Sequence, residues 1–161
     1  MRRSGEDELA PVPPPGTPSS RVCYRVPFFD TDAMRIVHHA NYVRYLELAR
    51  VRLLEEHDQP YTRYLELDLH FAVTRCELRY LLPARFDDRL EICCWIQRAG
   101  GASVEIAYQI LRGAELLVRA ATEHACVDGL GRLRRLPPER RAALRRLAVE
   151  AGPAAAQRAP G

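Results

Sequence analysis

The sequence contains no lysine, so all 24 residues in its lysine-plus-arginine total are arginine. They are spread over the whole chain, which we interpret mainly as a compositional bias. The formal net charge is +3 and the sequence pI is about 8.7. This is less basic than a nucleic-acid-binding domain, which typically has a pI above about 9 and a clustered basic face. No nucleic-acid partner is therefore expected, although individual arginines are suited to bidentate binding of a phosphate group.

Cysteine pairs with metal-site spacing and long apolar runs are also missing. The five cysteines are odd in number and include no Cys-x-x-Cys pair, so neither a disulfide framework nor a zinc site is expected, and reduced thiols fit better. The amino terminus has no apolar segment typical of a signal peptide. No run approaches the roughly 18 apolar residues of a membrane span. We expect a cytoplasmic protein without a transmembrane segment.

The two ends of the chain differ in composition from the middle. Residues 1–20 contain five prolines among glycines, serines and acids, which predicts a disordered leader. Residues 148–161 are mainly alanine, proline, glycine and glutamine, which predicts a disordered tail. The part between them, 21–147, is expected to form one folded domain.

The middle of the chain begins with a β-prone run and then a long helical pattern. The run covers 21–29 and is followed by a short polar segment. From about Ala40 to His57 the apolar residues recur at helical spacing, and Pro60 stops the pattern. The residues that form this stripe are Tyr42, Leu46, Ala49 and Leu53. One long helix with a buried face is predicted.

Downstream the apolar period changes to two. Four alternating stretches, near 75–80, 90–97, 104–111 and 116–123, predict strands. The connections between them are short, so we expect antiparallel hairpins at all three. A last segment, 137–150, predicts a short arginine-rich helix. One helix against one antiparallel sheet gives a two-layer α+β domain, and the apolar surface that such a domain leaves uncovered predicts a homodimer or homotetramer.

Polar residues are concentrated where the first strand ends and the helix begins. They form two groups, residues 30–32 (Asp-Thr-Asp) and residues 38–42 (His-His-Ala-Asn-Tyr). The first N–H groups of a helix lack internal partners and carry the positive end of its dipole. They can stabilise an oxyanion on an acyl carbonyl, while a nearby carboxylate acts as nucleophile or general base. This arrangement indicates acyl-transfer chemistry.

The same residues also have structural explanations. An aspartate before a helix is often only a turn or capping residue. Asp30 and Asp32 lack the further oxygen ligands of a calcium loop. His38 and His39 are adjacent, so we expect them to face apart and to make a poor metal pair, and no metal site is predicted. Arg50, three residues after a glutamate, is expected to form a surface ion pair.

The combined string resembles the 4-hydroxybenzoyl-CoA thioesterase family. The residues that carry the resemblance are 29–33, 36–42 and 45–50, followed by Leu78-Arg79-Tyr80 and the stretch 83–92. The similarity spans about 21–140 and is greatest to the branch of Tol-Pal-associated acyl-CoA thioesterases. It implies the hot-dog fold, in which a curved antiparallel sheet wraps a long helix and the sites lie at subunit interfaces. It implies no cofactor.

The resemblance also implies residue roles. Asp32 matches the catalytic carboxylate, and His39 falls where the helix start offers a backbone N–H to the thioester carbonyl. Asn41 and Tyr42 complete the motif and are expected to shape the site. Arg98 lies near the turn 100–103, where the family often binds coenzyme A.

One position departs from the family pattern. Arg35 stands where glycine is usual, and glycine tolerates left-handed backbone. The loop is therefore expected to take another path, or Arg35 to reach Asp32, to contact an anionic part of the substrate, or to stay solvated.

The resulting expectation is hydrolysis of an acyl-CoA, or of an acyl-carrier-protein thioester, to a free acid and a thiol. One alternative is a hot-dog hydratase or dehydratase acting on enoyl thioesters, which is disfavoured because no Asn-Pro follows Asp32. The other is a non-catalytic module that binds acyl ligands, for which Arg35 is the supporting feature.

Overall fold

The computed structural model describes residues 12–149. No helix in this range is long and apolar enough to cross a membrane. The greater part of the predicted leader, 1–11, and of the predicted tail, 150–161, lies outside the described residues. In chain order the elements are β1 (Ser19–Arg25), a 3-10 turn (Phe28–Asp30), α1 (Asn41–His57), α2 (Tyr61–Glu66), β2 (His70–Tyr80), β3 (Arg89–Ala99), β4 (Ser103–Arg112), β5 (Glu115–Val127) and α3 (Pro138–Leu147).

Most element boundaries agree with the sequence pattern. The predicted long helix is confirmed as α1, and all four residues of its predicted stripe are buried. β1 begins at Ser19, two residues before the predicted start of the domain. The short helix α2 was not predicted, because its six residues are too few to show a helical period.

The five strands form one antiparallel sheet in the order β1-β3-β4-β5-β2. The predicted hairpins β3–β4 and β4–β5 are confirmed. The prediction of a hairpin between β2 and β3 is wrong. β2 pairs with β5 at one edge of the sheet, and the connection 81–88 leads to β3, which lies between β1 and β4 near the opposite edge. A period of two shows which residues share a face, but it does not identify the neighbouring strand.

The main core lies between α1 and the sheet. Leu90, Ile92, Cys94 and Ile96 alternate along β3 and are fully buried with the apolar face of α1. On the opposite face, Trp95 forms a smaller buried cluster with Ala107, and Val149 packs against it. All five cysteines are free thiols, as predicted.

A buried polar group interrupts this core beneath α1. Arg50 is 7% exposed and its Nη1 lies 3.3 Å from Nδ1 of His124 on β5. Thr122 lies 2.7 Å from the other imidazole nitrogen and 2.9 Å from the Tyr108 hydroxyl. Arg50 is therefore not the surface residue expected from its spacing to Glu47, whose carboxylate is 3.6 Å away. Burial, with the nearby Arg50 charge, lowers the pKa of His124 to about 4.

Candidate active site

A cavity of about 310 Å³ opens where the loop after β1, the start of α1 and the end of β2 meet. Its wall is mostly apolar and has few polar groups, as is usual for small-molecule sites. The lining residues are Asp32, Met34, Ile36, Val37, His39, Tyr42, Tyr80, Leu81, Leu82 and Pro83. The structure thus brings together three of the predicted site residues: Asp32, His39 and Tyr42.

The Asp32 side chain is fixed by a tight local loop. Its backbone N–H donates to the Ile36 carbonyl at 2.9 Å, and its own carbonyl accepts the Arg35 N–H at 2.9 Å. Its Oδ1 accepts the Met34 N–H at 2.8 Å. Within residues 12–149 no protein group donates to Oδ2. Asp32 therefore presents a half-buried carboxylate with one oxygen available to a ligand in the cavity.

Arg35 occupies the turn of that loop. Its φ is 62°, in the left-handed region that glycine favours, so the structure does not support the alternative in which the loop takes another path. The side chain is exposed. It makes no ion pair with Asp32 or with another acid of the described part. Its predicted contact with substrate stays a prediction.

The start of α1 forms the opposite wall. The Ala40 N-cap provides no side-chain cap, and the backbone N–H of His39 has no acceptor in the described range. Donors free at a helix start are suited to a developing oxyanion. His39 thus lines the cavity and has a backbone donor available. Its role toward the thioester carbonyl stays a prediction from the resemblance.

The two histidines do not face apart as expected. The rings of His38 and His39 lie 4.2 Å apart, centroid to centroid, at an angle of 31°. The His38 Nδ1 accepts the Ala40 N–H at 3.2 Å, which accounts for its orientation. Among the described residues, no group of three or more His, Cys, Asp or Glu is arranged to hold a metal ion.

Asp30 joins the elements around the cavity but does not line it. Its side chain is buried, and its Oδ2 accepts the Tyr45 hydroxyl at 2.6 Å and the Tyr24 hydroxyl at 2.8 Å. Burial and the hydrogen bond to Asp30 raise the pKa of Tyr45 well above its usual range. The Asp30 carbonyl accepts the Asn41 side-chain amide at 2.8 Å and the His38 N–H at 2.9 Å. Asn41 thus ties the helix start to the loop, and its shaping role stays a prediction.

Two tyrosines connect the walls of the cavity. The buried Tyr42 hydroxyl accepts the Ala84 N–H at 3.1 Å. The Tyr80 hydroxyl donates to the His39 carbonyl at 3.0 Å. Their rings pack edge to face, with centroids 5.4 Å apart. Burial raises the pKa of both hydroxyls, so both stay protonated at neutral pH.

Sequence reasoning did not assign a role to Tyr80 or to the three residues that follow it. The available signal was the stretch 78–84, which carries part of the family resemblance. Arg98, in contrast, was predicted to bind substrate but does not line the cavity. Its guanidinium pairs with Glu105 on the neighbouring strand. Its role with coenzyme A stays a prediction from the resemblance.

Comparison with known proteins relates this chain to thioesterases. A family model described as the thioesterase-like superfamily matches residues 26–145. The acyl-CoA thioester hydrolase YbgC of Escherichia coli is 36% identical over 107 residues, which make up 66% of this chain and 80% of that relative. A putative esterase of Aquifex aeolicus is 30% identical over 115 residues, 71% of this chain and 89% of the relative.

A solved structure agrees with the fold described above. The crystal structure of a hypothetical protein from Thermus thermophilus has a TM-score of 0.77 and 31% identity to this chain. The match covers 82% of this chain and 99% of that one. It confirms the predicted α+β architecture of hot-dog type.

Proposed function

Because the chain belongs to the thioesterase-like superfamily, we propose that it hydrolyses acyl-CoA thioesters in the cavity beside Asp32. The relative from Escherichia coli is named an acyl-CoA thioester hydrolase, and thioester hydrolysis is the activity of this chain. The observation that supports the assignment of the site is the Asp32 carboxylate. It lines a largely apolar cavity and keeps one oxygen without a protein donor within residues 12–149.

The geometry supports two routes for the hydrolysis. In one, an Asp32 oxygen attacks the thioester carbonyl carbon, the C–S bond breaks and coenzyme A leaves as a thiolate. Water then hydrolyses the mixed anhydride. In the other, Asp32 accepts a proton from a water molecule whose oxygen attacks the same carbon, and collapse of the tetrahedral intermediate expels the thiolate. In both routes the oxyanion lies against the His39 N–H and the positive end of α1.

The other predicted residues have supporting parts. Asn41 and Tyr42 hold the helix start against the loop and the turn after β2, so we assign them to shaping the site. Arg35 has an exposed guanidinium in the loop that carries Asp32, and that group suits a phosphate of coenzyme A. Arg98 is retained as a candidate for the same end of the substrate on the resemblance alone.

Thiol release tests the proposed activity. Wild type and Asp32→Asn are compared with a thiol-reactive dye on short, long and aromatic acyl-CoAs and on acyl-carrier-protein thioesters. We expect release by the wild type and a drop in kcat of at least about 100-fold in the variant, the scale of a lost general base. Asp87→Asn, the same change at an exposed aspartate outside the cavity wall, is the matched control and should keep wild-type kcat.

Three results would contradict the proposal or a part of it. Hydration of crotonyl-CoA without thiol release would identify a hydratase. Stoichiometric binding of an acyl-CoA without release of thiol would identify a binding module. A near-normal rate in Asp32→Asn would remove Asp32 from the mechanism.

We also propose that the chain forms a homodimer or homotetramer in which β2 contributes to an interface. β2 is an eleven-residue strand at the edge of the sheet, and unpaired edges are open to pairing with another chain. Val73, Tyr80, Leu81 and Leu82 leave exposed apolar surface along and just beyond it. Light scattering after size exclusion tests this, and a monomeric mass at micromolar concentration would contradict it. The five free thiols fit a cytosolic location.

A further inference from the structure

Tyr80 bridges the two walls of the cavity. It is the last residue of β2, its ring lines the cavity, and its hydroxyl reaches across to the carbonyl of His39 at 3.0 Å. On its inner side the ring packs edge to face against Tyr42. Tyr80 therefore contacts both the proposed substrate space and the residue whose N–H faces the oxyanion.

The His39 carbonyl lies just outside the hydrogen-bond ladder of α1. The helix begins at Asn41, whose N–H donates to the carbonyl of His38, at 2.9 Å. The peptide group between His39 and Ala40 is thus outside the ladder, and its N–H donates to Nδ1 of His38 at 3.2 Å. Tyr80 supplies the donor to this carbonyl in the described part of the chain. Burial raises the pKa of the Tyr80 hydroxyl, so it remains a donor over the neutral range.

Packing alone does not explain the hydroxyl. Tyr80 is 48% exposed, and a phenylalanine would make the same ring contact with Tyr42. The phenolic oxygen makes its protein hydrogen bond, within residues 12–149, to the His39 carbonyl. This peptide group and the one that carries the free His39 N–H meet at the His39 Cα, so the hydrogen bond from Tyr80 restricts rotation of the His39 main chain between them.

We propose that Tyr80 is a positioning residue that orients the His39 main chain for oxyanion binding. This inference rests on the proposed function. It assigns Tyr80 no contact with the reacting atoms: the residue acts through the peptide group that it holds. Loss of the hydroxyl should therefore impair the chemical step and leave substrate binding unchanged.

Tyr80→Phe tests this role, with Tyr61→Phe as the matched control. Tyr61 is a partly buried tyrosine of α2 whose hydroxyl makes no hydrogen bond in the described range. For Tyr80→Phe we expect kcat of thiol release to fall about tenfold, a fraction of the roughly 100-fold that a 1 Å misplacement costs. KM, and the Kd of a non-hydrolysable thioether analogue of the best acyl-CoA substrate, should stay within about twofold of wild type. The Tm should shift by less than about 2 °C.

Several outcomes overturn the proposal. One is an unchanged kcat in Tyr80→Phe, and another is an equal loss of kcat in Tyr61→Phe. The third is a rise in the KM and Kd of Tyr80→Phe at constant kcat, which would make Tyr80 a binding residue. Failure of the proposed function looks different, since wild type would then release no thiol or Asp32→Asn would remain active.

Discussion

Asp30 and Asp32 are two residues apart, yet their carboxylates have opposite environments. Asp30 is 2% exposed and accepts two tyrosine hydroxyls through one oxygen. Asp32 is half-buried, lines the cavity and keeps an oxygen that no protein group within residues 12–149 engages. The first carboxylate holds β1 and α1 together, and the second faces the proposed substrate. Substitutions at the two positions should therefore separate stability from activity.

Asp30→Ala is expected to lower the free energy of unfolding by about 2–3 kcal/mol, because it leaves the Tyr24 and Tyr45 hydroxyls without their acceptor. Urea denaturation followed by circular dichroism measures this. Asp32→Asn is the comparison and should change the free energy of unfolding by less than about 0.5 kcal/mol. A larger loss of stability at Asp32 than at Asp30 would contradict this division of roles.

Arg35 allows the backbone and the charge of one residue to be tested separately. Its left-handed φ of 62° disfavours any side chain with a Cβ. Arg35→Gly should raise the free energy of unfolding by about 0.5–1 kcal/mol. Arg35→Ala keeps the Cβ and should not raise the free energy of unfolding. If the guanidinium contacts an anionic part of the substrate, both variants raise KM equally, and an unchanged KM in both removes Arg35 from the binding site.

His124 makes stability depend on pH. Its pKa is about 4 in the folded chain against an ordinary value of 6.5, first because of burial and then because of Arg50. Between these two values the unfolded state binds more protons, so stability is full above about pH 6.5 and is lost as pH falls toward 4. The loss is on the order of 3 kcal/mol.

Chemical denaturation at a series of pH values measures this effect. Carboxylates also titrate in the lower part of the range, so the quantity to compare is the difference between wild type and His124→Gln. The variant should lose less stability than wild type between pH 6.5 and 4. If the free energy of unfolding of wild type and of His124→Gln fell by the same amount between pH 6.5 and 4, His124 would not be the cause of the pH dependence.

The buried pair between Asp58 and Arg140 fixes α3 to the helical layer. The Asp58 side chain is 2% exposed, and its carboxylate accepts Arg140 Nη1 at 2.5 Å and the Tyr64 hydroxyl. Arg140→Ala leaves that carboxylate buried without its cation, which should cost about 3 kcal/mol of stability. Arg146→Ala, at an exposed arginine of the same helix, is the control and should be neutral. The same Tm in Arg140→Ala and Arg146→Ala would contradict this account.

The sequence predicted those features that depend on local pattern. The spacing of Tyr42, Leu46, Ala49 and Leu53 predicted α1 because burial of one helix face leaves a period of 3.6 residues. Asp32 and His39, which line the cavity, were selected because the motif that carries the family resemblance lies next to the helix start, which is also local; their roles stay predictions.

Features that depend on pairing over long distances were missed. Tyr80 reaches His39 because β2 lies beside β5 at the edge of the sheet, and alternation along β2 carries no information about that neighbour. Arg50 was expected at the surface because its glutamate partner is close in sequence. Its burial depends on His124, 74 residues away. No local rule detects such a contact.

The pairing of β2 with β5 also constrains the order in which the chain can fold during synthesis. The wall of the cavity formed by 80–83 follows directly on β2, whose ladder is completed by Glu115–Val127. Asp32 and the start of α1 leave the ribosome long before that strand does. Non-local strand pairing must wait until both partners are present. A nascent chain that ends before Glu115 therefore contains Asp32 and α1, but its residues 80–83 are not yet held in place by the pairing of β2 with β5. Completion of the cavity wall is thus a late event in the biosynthesis of this protein, after about three quarters of the chain has been made.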